Sequence, residues 1–271
     1  MNIIIPDEKA KKLYDKRARP MAAFALCGDI LSWEGAENKV KKGANLIVAN
    51  HPGAHKDIAS LIALYQRQLF FLANKEIFVQ GDFDKLIRNY VNLICRKKLR
   101  YLSDIAASNF NFLSAPLRLY VSKFISSRID DVGSIPVSLR KNNGNSIYKQ
   151  IVEQYLLNDL AVVFMQYNRK DRPSKFDINN QEVREFTYGA PKTAYEMLMK
   201  HDMNVPVTPI SIKGTSGFWL KPFGKVKVNI GEPLFVKDYY TTSSGGSERR
   251  TIFEFKNALE KRVVDLYHDF K

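Results

Sequence analysis

Two residues near the start of the chain have the types and the spacing needed to deprotonate an alcohol. His51 follows a short apolar run at residues 46–49, which predicts a buried strand, and Asp57 lies six positions further on. An imidazole titrates near neutral pH, and a carboxylate on its second nitrogen fixes the tautomer and stabilises the charged ring. The pair therefore predicts a general base with an orienting partner. His55 lies in the same loop and is the competing candidate for the base.

The loop between these two residues supports their pairing. Pro52 and Gly53 predict a turn that brings Asp57 back toward the imidazole. Ligand-binding loops of α/β sheets collect where strands end, and His51 stands at the end of the predicted strand. Backbone amides near Gly53 are candidates for stabilising an oxyanion.

Composition and charge limit the class of protein. The chain has 271 residues, of which 45% are hydrophobic, enough for one substantial domain with a full core. A formal net charge of +14 indicates an anionic partner, which is nucleic acid, an anionic membrane surface or a phosphorylated small molecule. We find no helix-turn-helix or aromatic RNA-binding motif, so no nucleic-acid partner is expected.

The cysteines and the apolar runs indicate the compartment. Cys27 and Cys95 form no Cys-x-x-Cys pair and no Cys/His ligand cluster, which argues against disulfide scaffolds and zinc folds and favours a reducing cytosol. No apolar run reaches the length of a membrane span, and charged residues from Asp7 to Lys12 interrupt any signal peptide. The expected protein is cytoplasmic, either soluble or peripheral on a membrane, with no metal and no bound cofactor.

Apolar runs separated by helical patterns predict an α/β fold with a mixed central sheet flanked by helices, preceded by an N-terminal helical segment. That segment covers residues 7–31 in two pieces broken near Pro20. Strands are predicted at residues 46–50, 69–73, 134–139, 160–165, 205–212 and 225–230. Helices are predicted at residues 57–67, 146–156, 190–199 and 249–270.

An ordered series of motifs resembles the glycerolipid acyltransferases, the family of 1-acylglycerol-3-phosphate and glycerol-3-phosphate acyltransferases. The block around His51 and Asp57 is similar to the His-x4-Asp motif of that family, and the other blocks follow in the family's order. The matching blocks are residues 32–38 (SWEGAEN), 50–57 (NHPGAHKD), 71–78 (FLANKEIF), 133–140 (GSIPVSLR), 164–169 (FMQYNR), 186–190 (FTYGA), 205–210 (VPVTPI) and 230–233 (IGEP).

The resemblance implies the glycerolipid acyltransferase fold and an acyltransferase that moves a fatty acyl group from acyl-CoA or acyl carrier protein to a lipid hydroxyl. It implies that His51 is the base and Asp57 orients it. The thioester is then a co-substrate, and no cofactor is needed. The residues that it implies for substrate binding are Arg140, Arg169, Gln166, Lys75, Asn168 and Gly53.

The sequence departs from the family at two places. Five residues rather than four separate His51 from Asp57, so the loop has to bulge by one residue. Gln166 and Tyr167 stand where the family has an acidic residue and a glycine. The alternatives are therefore acyl transfer to a non-phosphate acceptor, such as an amino-acid lipid, or an anionic-lipid-binding protein without catalytic activity.

The predicted domain arrangement has a helical, membrane-associating segment at residues 1–32 and an acyltransferase domain at residues 33–271. The domain includes a helical insertion at about residues 80–131, in which basic residues stand beside bulky apolar ones. Such a composition is typical of helices that lie in an anionic membrane interface. We therefore expect a peripheral protein on the inner face of the membrane.

Overall fold

The structure is a computed structural model that describes residues 5–53, 55–98, 108–109, 111–127, 129, 134–137, 145–166, 172–180, 182–216, 224–240 and 248–270. Two compact units divide the chain, and each is described by itself. The first unit comprises Met1–Leu72 and Lys149–Lys271, and the second comprises Ala73–Tyr148.

The described strands form one seven-stranded sheet, in the order β1-β7-β6-β2-β5-β3-β4. They are β1 (Ile30–Glu34), β2 (Asn45–Ala49), β3 (Leu69–Asn74), β4 (Ile135–Val137), β5 (Ala161–Met165), β6 (Val207–Lys213) and β7 (Lys225–Ile230). The strand β2 is parallel to both of its neighbours, whereas β6 and β7 are antiparallel. The sheet is therefore mixed, which confirms the predicted fold class.

The described helices cover the sheet and build the second unit. They are α1 (Glu8–Leu13), α2 (Arg19–Ala25), α3 (His55–Leu64), α4 (Gln80–Lys98), α5 (Ala115–Ser126), α6 (Asn145–Leu157), α7 (Gly189–His201) and α8 (Glu248–His268). In the first unit α8 packs on β6 and α7 on β2. The apolar residues of α8 recur at the spacing of helical turns and share one face. On that face Phe255, Leu259 and Val263 are fully buried.

The central strand β2 explains why this part of the fold can be read from the sequence. All five of its residues are buried, from Asn45 to Ala49. A parallel strand covered on both faces carries a continuous apolar run rather than an alternating one, and β2 has this pattern. The strand delivers the following residues, Asn50 and His51, to the carboxyl edge of the sheet.

The N-terminal helical segment differs in detail from its prediction. The backbone is helical from Glu8 to Ala25, with a π-helical turn at Tyr14–Ala18 where the Arg19 N–H donates to the Tyr14 carbonyl. The predicted break near Pro20 corresponds to this turn, which interrupts the regular α-helix while the backbone stays helical, and α2 begins with Pro20 in its first turn. The predicted helix end at residue 31 is wrong, since Ile30 begins β1.

In the second unit the long helices α4 and α5 fall within the predicted insertion at residues 80–131. The buried Arg118 and Asp84 side chains join α5 to α4 by an ion pair. Among the described residues, no helix is both long enough and apolar enough to cross a membrane. The predicted domain boundary after residue 32 stays a prediction.

Candidate active site

The candidate site lies where two neighbouring parallel strands end. Ala49 of β2 pairs with Met165 of β5, so the residues that follow these two strands, Asn50 and Gln166, are neighbours. The Gln166 N–H extends this pairing by donating to the Ala49 carbonyl at 2.8 Å. The first and third motifs are thus adjacent in space although more than a hundred residues separate them in the chain.

His51 and Asp57 meet despite the extra residue between them. The His51 Nδ1 lies 2.8 Å from the Asp57 Oδ2. The His51 side chain is 24% exposed, whereas that of Asp57 is fully buried. Asp57 stands in the first turn of α3, where the positive end of the helix dipole favours a carboxylate. A substrate can therefore reach the imidazole, while its partner is shielded from water.

Two further donors hold the Asp57 carboxylate. The Gly53 N–H donates to Oδ2 at 2.8 Å, and the Thr215 hydroxyl donates to Oδ1. Because a carboxylate only accepts hydrogen bonds, the His51 Nδ1 must carry a proton. In the neutral imidazole with this tautomer, the Nε2 atom keeps its lone pair, which is the form required of a general base.

Gly53 is required by a close approach of two loops. A Cβ atom at this position would lie 2.2 Å from the Thr215 carbonyl oxygen and 2.3 Å from the Thr215 Cβ. Only glycine lets Thr215 come close enough to bind Asp57. The Gly53 N–H is already used by that same carboxylate, which gives this residue a positioning role, and its substrate-binding role stays a prediction.

Asn50 fixes the strand end from which His51 projects. Its Oδ1 accepts the Ile212 N–H at 2.7 Å, and its Nδ2 donates to the Ile212 carbonyl at 2.8 Å. The side chain therefore continues the pairing of β2 with β6 for one further residue. Since Thr215 follows β6 by two residues, Asn50 also sets the position of the loop that holds Asp57.

A second buried contact anchors the first turn of α3. The Lys56 Nζ lies 2.6 Å from the Asp29 Oδ2, with side-chain exposures of 9% and 0%. Asp29 also accepts the Gly224 N–H at 2.8 Å, immediately before β7. The residue next to Asp57 is thereby tied to the segments that enter β1 and β7.

The segment at residues 182–187, here called the strap, crosses the ends of β2 and β5. Its carbonyls accept hydrogen bonds from the site: the Gln166 Nε2 donates to Arg184, and the Asn50 Nδ2 donates to Glu182 at 3.3 Å. Gln166 is only 7% exposed, so its amide serves this internal contact. A small, mostly apolar cavity lies beneath the strap, lined by Val48, Ala49, Phe164, Met165, Gln166, Phe186, Thr187, Ala190 and Pro191.

The C-terminal helix α8 supports the strap. The fully buried Glu260 accepts the Phe186 N–H at 3.0 Å and pairs with Lys256 at 3.0 Å. The Tyr267 hydroxyl donates to the Glu182 carboxylate at 3.0 Å, and burial together with that carboxylate raises the pKa of Tyr267. The strap is therefore held by charged and polar contacts at both of its ends.

The remaining predicted residues are not all described. Arg140, Asn168 and Arg169 lie outside the described residues, and so does Tyr167. Lys75 is an exposed residue that begins a short 3-10 turn in the second unit. The competing histidine, His55, is the exposed first residue of α3. The hydrogen bond of Asp57 is with His51. Within the described part of the chain, no cluster of three or more His, Cys, Asp or Glu side chains could hold a metal ion.

Sequence reasoning missed Thr215 and Asp29. Thr215 follows β6 after Gly214, which adopts a positive φ of 86° and marks a tight turn at the strand end. A glycine and a hydroxyl residue directly after a predicted strand were therefore the available signal. Nothing in the sequence around Asp29 indicates its pairing with Lys56.

Comparison with known proteins identifies the fold. The chain is similar in structure to PlsC, the 1-acyl-sn-glycerophosphate (LPA) acyltransferase of Thermotoga maritima, with a TM-score of 0.51. The similarity covers 97% of this chain and 84% of that protein, at 18% sequence identity. The chain thus has the fold of that acyltransferase, which confirms the predicted glycerolipid acyltransferase fold. No protein-family model and no curated protein matches the sequence.

Proposed function

We propose that the protein is an acyltransferase that moves a fatty acyl group from a thioester to a hydroxyl of a lysophospholipid or a glycerol-phosphate-like lipid. The observation that carries the proposal is the His51 imidazole, which donates Nδ1–H to the buried Asp57 and keeps Nε2 as a base. The fold of an LPA acyltransferase and the order of the motifs support the same assignment.

The proposed reaction is a direct transfer. The His51 Nε2 takes the proton of the acceptor hydroxyl while the hydroxyl oxygen attacks the thioester carbonyl carbon. The carbon–sulfur bond then breaks, an ester forms, and the imidazolium returns the proton to the departing thiolate. The buried Asp57 carboxylate stabilises the imidazolium between these steps. The donor is acyl-CoA or acyl carrier protein as a co-substrate, and the reaction requires no cofactor.

Thr215, Gly53 and Asn50 position this pair, and Gly53 also stays a substrate-binding candidate. Together they hold the carboxylate against the imidazole and fix the strand end from which His51 projects. A base that is held in place avoids the entropic cost of being oriented during the reaction. These contacts therefore raise the rate of acyl transfer by holding His51 and Asp57 in place.

For the acceptor we propose that Arg140 and Arg169 bind its phosphate, with Lys75, Gln166 and Asn168 as further substrate-binding candidates. Guanidinium groups suit this role because they bind phosphate through two parallel hydrogen bonds. The buried amide of Gln166 favours a structural contact with the strap for that residue. The acceptor sits in the membrane, so the proposed partner is an anionic membrane surface on its cytoplasmic side, and nucleic acid is not expected.

The enzyme proposal is tested by measuring thiol release from long-chain acyl-CoA and from acyl carrier protein thioesters with a panel of lysolipid acceptors. We expect His51→Ala and Asp57→Asn to lower kcat by about 10²- to 10⁴-fold. The chain offers a matched control in His268 and Asp177, a surface pair whose Nε2 and Oδ2 lie 2.7 Å apart. His268→Ala and Asp177→Asn should keep wild-type kcat.

The same assay separates the alternatives. If Arg169→Ala loses activity only with phosphorylated acceptors, the acceptor carries a phosphate. Equal activity of Arg169→Ala on every acceptor would favour a non-phosphate acceptor such as an amino-acid lipid. A wild-type protein that transfers nothing to any acceptor but binds anionic lipid would be a lipid-binding protein, and the proposed function would be refuted.

A further inference from the structure

The helix α5 of the second unit buries three polar side chains and exposes several large apolar ones. Arg118, Ser122 and Ser126 recur every four residues, share one face and are buried. Beside the exposed Lys123, α5 and the residues just before it expose five large apolar side chains. They are Phe112 at 81%, Leu113 at 78%, Leu117 at 68%, Tyr120 at 67% and Leu119 at 44% exposure.

The inward polar face is fully used. Arg118 donates to the buried Asp84 carboxylate and to the Asn111 carbonyl at 3.0 Å. The Ser126 hydroxyl donates to the Ile77 carbonyl at 2.6 Å, and the Ser122 hydroxyl to the Leu119 carbonyl at 3.1 Å. Rotating α5 to bury its leucines would break the contact of Ser126 with Ile77 and leave Asp84 without Arg118. The outward direction of the apolar side chains is therefore fixed by the core of the unit.

Five large apolar side chains exposed along one stretch need a partner, because exposed apolar surfaces that exceed scattered single residues mark binding sites. The net charge of the second unit indicates the kind of partner. Residues 73–148 contain 12 Lys and Arg and six Asp and Glu, a formal net charge of +6. Lys123 is exposed on α5 itself. Apolar side chains on a cationic unit complement a surface with acyl chains below negative headgroups.

We propose that the outward face of α5, defined as Phe112, Leu113, Leu117, Leu119 and Tyr120, inserts into an anionic lipid bilayer, with the helix lying in the plane of the membrane. This inference rests on the proposed function and deepens it by naming a surface through which the protein binds the membrane that contains a lipid acceptor. Arg118 does not face the lipid in this arrangement, because it is buried against Asp84.

The test is co-sedimentation of the full-length protein with phosphatidylcholine vesicles that contain or lack phosphatidylglycerol, in the absence of thioester and acceptor. We expect the wild type to bind the anionic vesicles and the double variant L113Q/L117Q to bind them at least about tenfold more weakly. The matched control is I178Q/M199Q, which replaces side chains of the first unit with 69% and 46% exposure. This control should bind like the wild type.

Two further measurements test whether α5 contacts acyl chains and whether the variants stay folded. L117W should gain fluorescence quenching by brominated phosphatidylcholine, which reports contact with acyl chains, and all variants should keep the wild-type melting temperature because the residues are exposed. The proposal would be overturned if the wild type did not bind anionic vesicles. It would also be overturned if L113Q/L117Q bound them as tightly as its control. A shift from dimer to monomer in L113Q/L117Q with unchanged vesicle binding would overturn it as well, since a second copy would then cover this face. Because no substrate is present, none of these outcomes depends on acyl transfer.

Discussion

Replacing Gly53 by alanine is the sharpest perturbation of the candidate site, because it changes neither the base nor its partner. The added Cβ would lie 2.2 Å from the Thr215 carbonyl oxygen. An ordinary carbon–oxygen contact is about 3.3 Å or longer, so the two loops have to separate by about 1 Å. That movement acts on Thr215 and on the Gly53 N–H, which are two of the three donors to Asp57.

The expected loss follows from this distance. A displacement of about 1 Å in a catalytic constellation costs about 10²-fold in rate, or about 2.7 kcal/mol of transition-state stabilisation. Overpacking of the loops also lowers the free energy of unfolding by about 1–3 kcal/mol. We therefore expect Gly53→Ala to be folded, with a lower melting temperature and a kcat about 10²-fold below the wild type.

The assay is thiol release at saturating thioester, with the melting temperature measured on the same samples. The control is Gly81→Ala, since a Cβ at Gly81 meets nothing within 4 Å. Combining Gly53→Ala with Thr215→Val tests whether Gly53 acts through Thr215. If it does, the kcat of the double variant should be no lower than that of the more impaired single variant. A folded Gly53→Ala protein with wild-type kcat, or strictly additive losses, would refute the reasoning.

Three other predictions follow from buried contacts. Thr215→Val removes one hydrogen bond to a buried carboxylate and should cost about 1.5–3 kcal/mol in urea unfolding, whereas Thr215→Ser keeps the hydroxyl and most of the stability. Gln166→Glu cannot donate to the Arg184 carbonyl when ionised, so its stability should be low at pH 8 and partly recover at pH 5, while Gln166→Met should show no such recovery. Burial raises the pKa of Tyr14 to about 12, so the unfolded state loses this proton first and stability falls as pH rises from about 10 to 12. At pH 11 the loss attributable to Tyr14 is about 1.4 kcal/mol, and Tyr14→Phe should lack it in urea titrations at pH 9 and 11.

Elements with a strong local pattern could be predicted from the sequence. The buried run of β2, the alternation of β7 and the helical period of α8 all appear where expected, because each depends on burial at a fixed spacing. The edge strand β1 was missed because its first apolar residues, Ile30 and Leu31, continue the apolar pattern of the helix before them, and four of its five residues are exposed. The predicted break near Pro20 corresponds to the π-helical turn at Tyr14–Ala18, which keeps the backbone helical between α1 and α2.

In the candidate site the residue types and their order were sufficient to name His51 and Asp57, because a base and its partner lie within one loop. Thr215 could not be found in this way. It binds Asp57 only because β6 lies beside β2 and a glycine turn follows it, and strand order is set by packing across the whole sheet.

Gln166 shows the same limit, since its motif predicts contact with a substrate. The fold directs its amide to the Arg184 carbonyl of the strap, because a buried amide must find an internal partner. Local sequence therefore specified the chemistry available to this protein, namely an imidazole and a carboxylate in one loop. Tertiary structure decided which distant groups hold them, because contacts between separate loops depend on packing that no local pattern records.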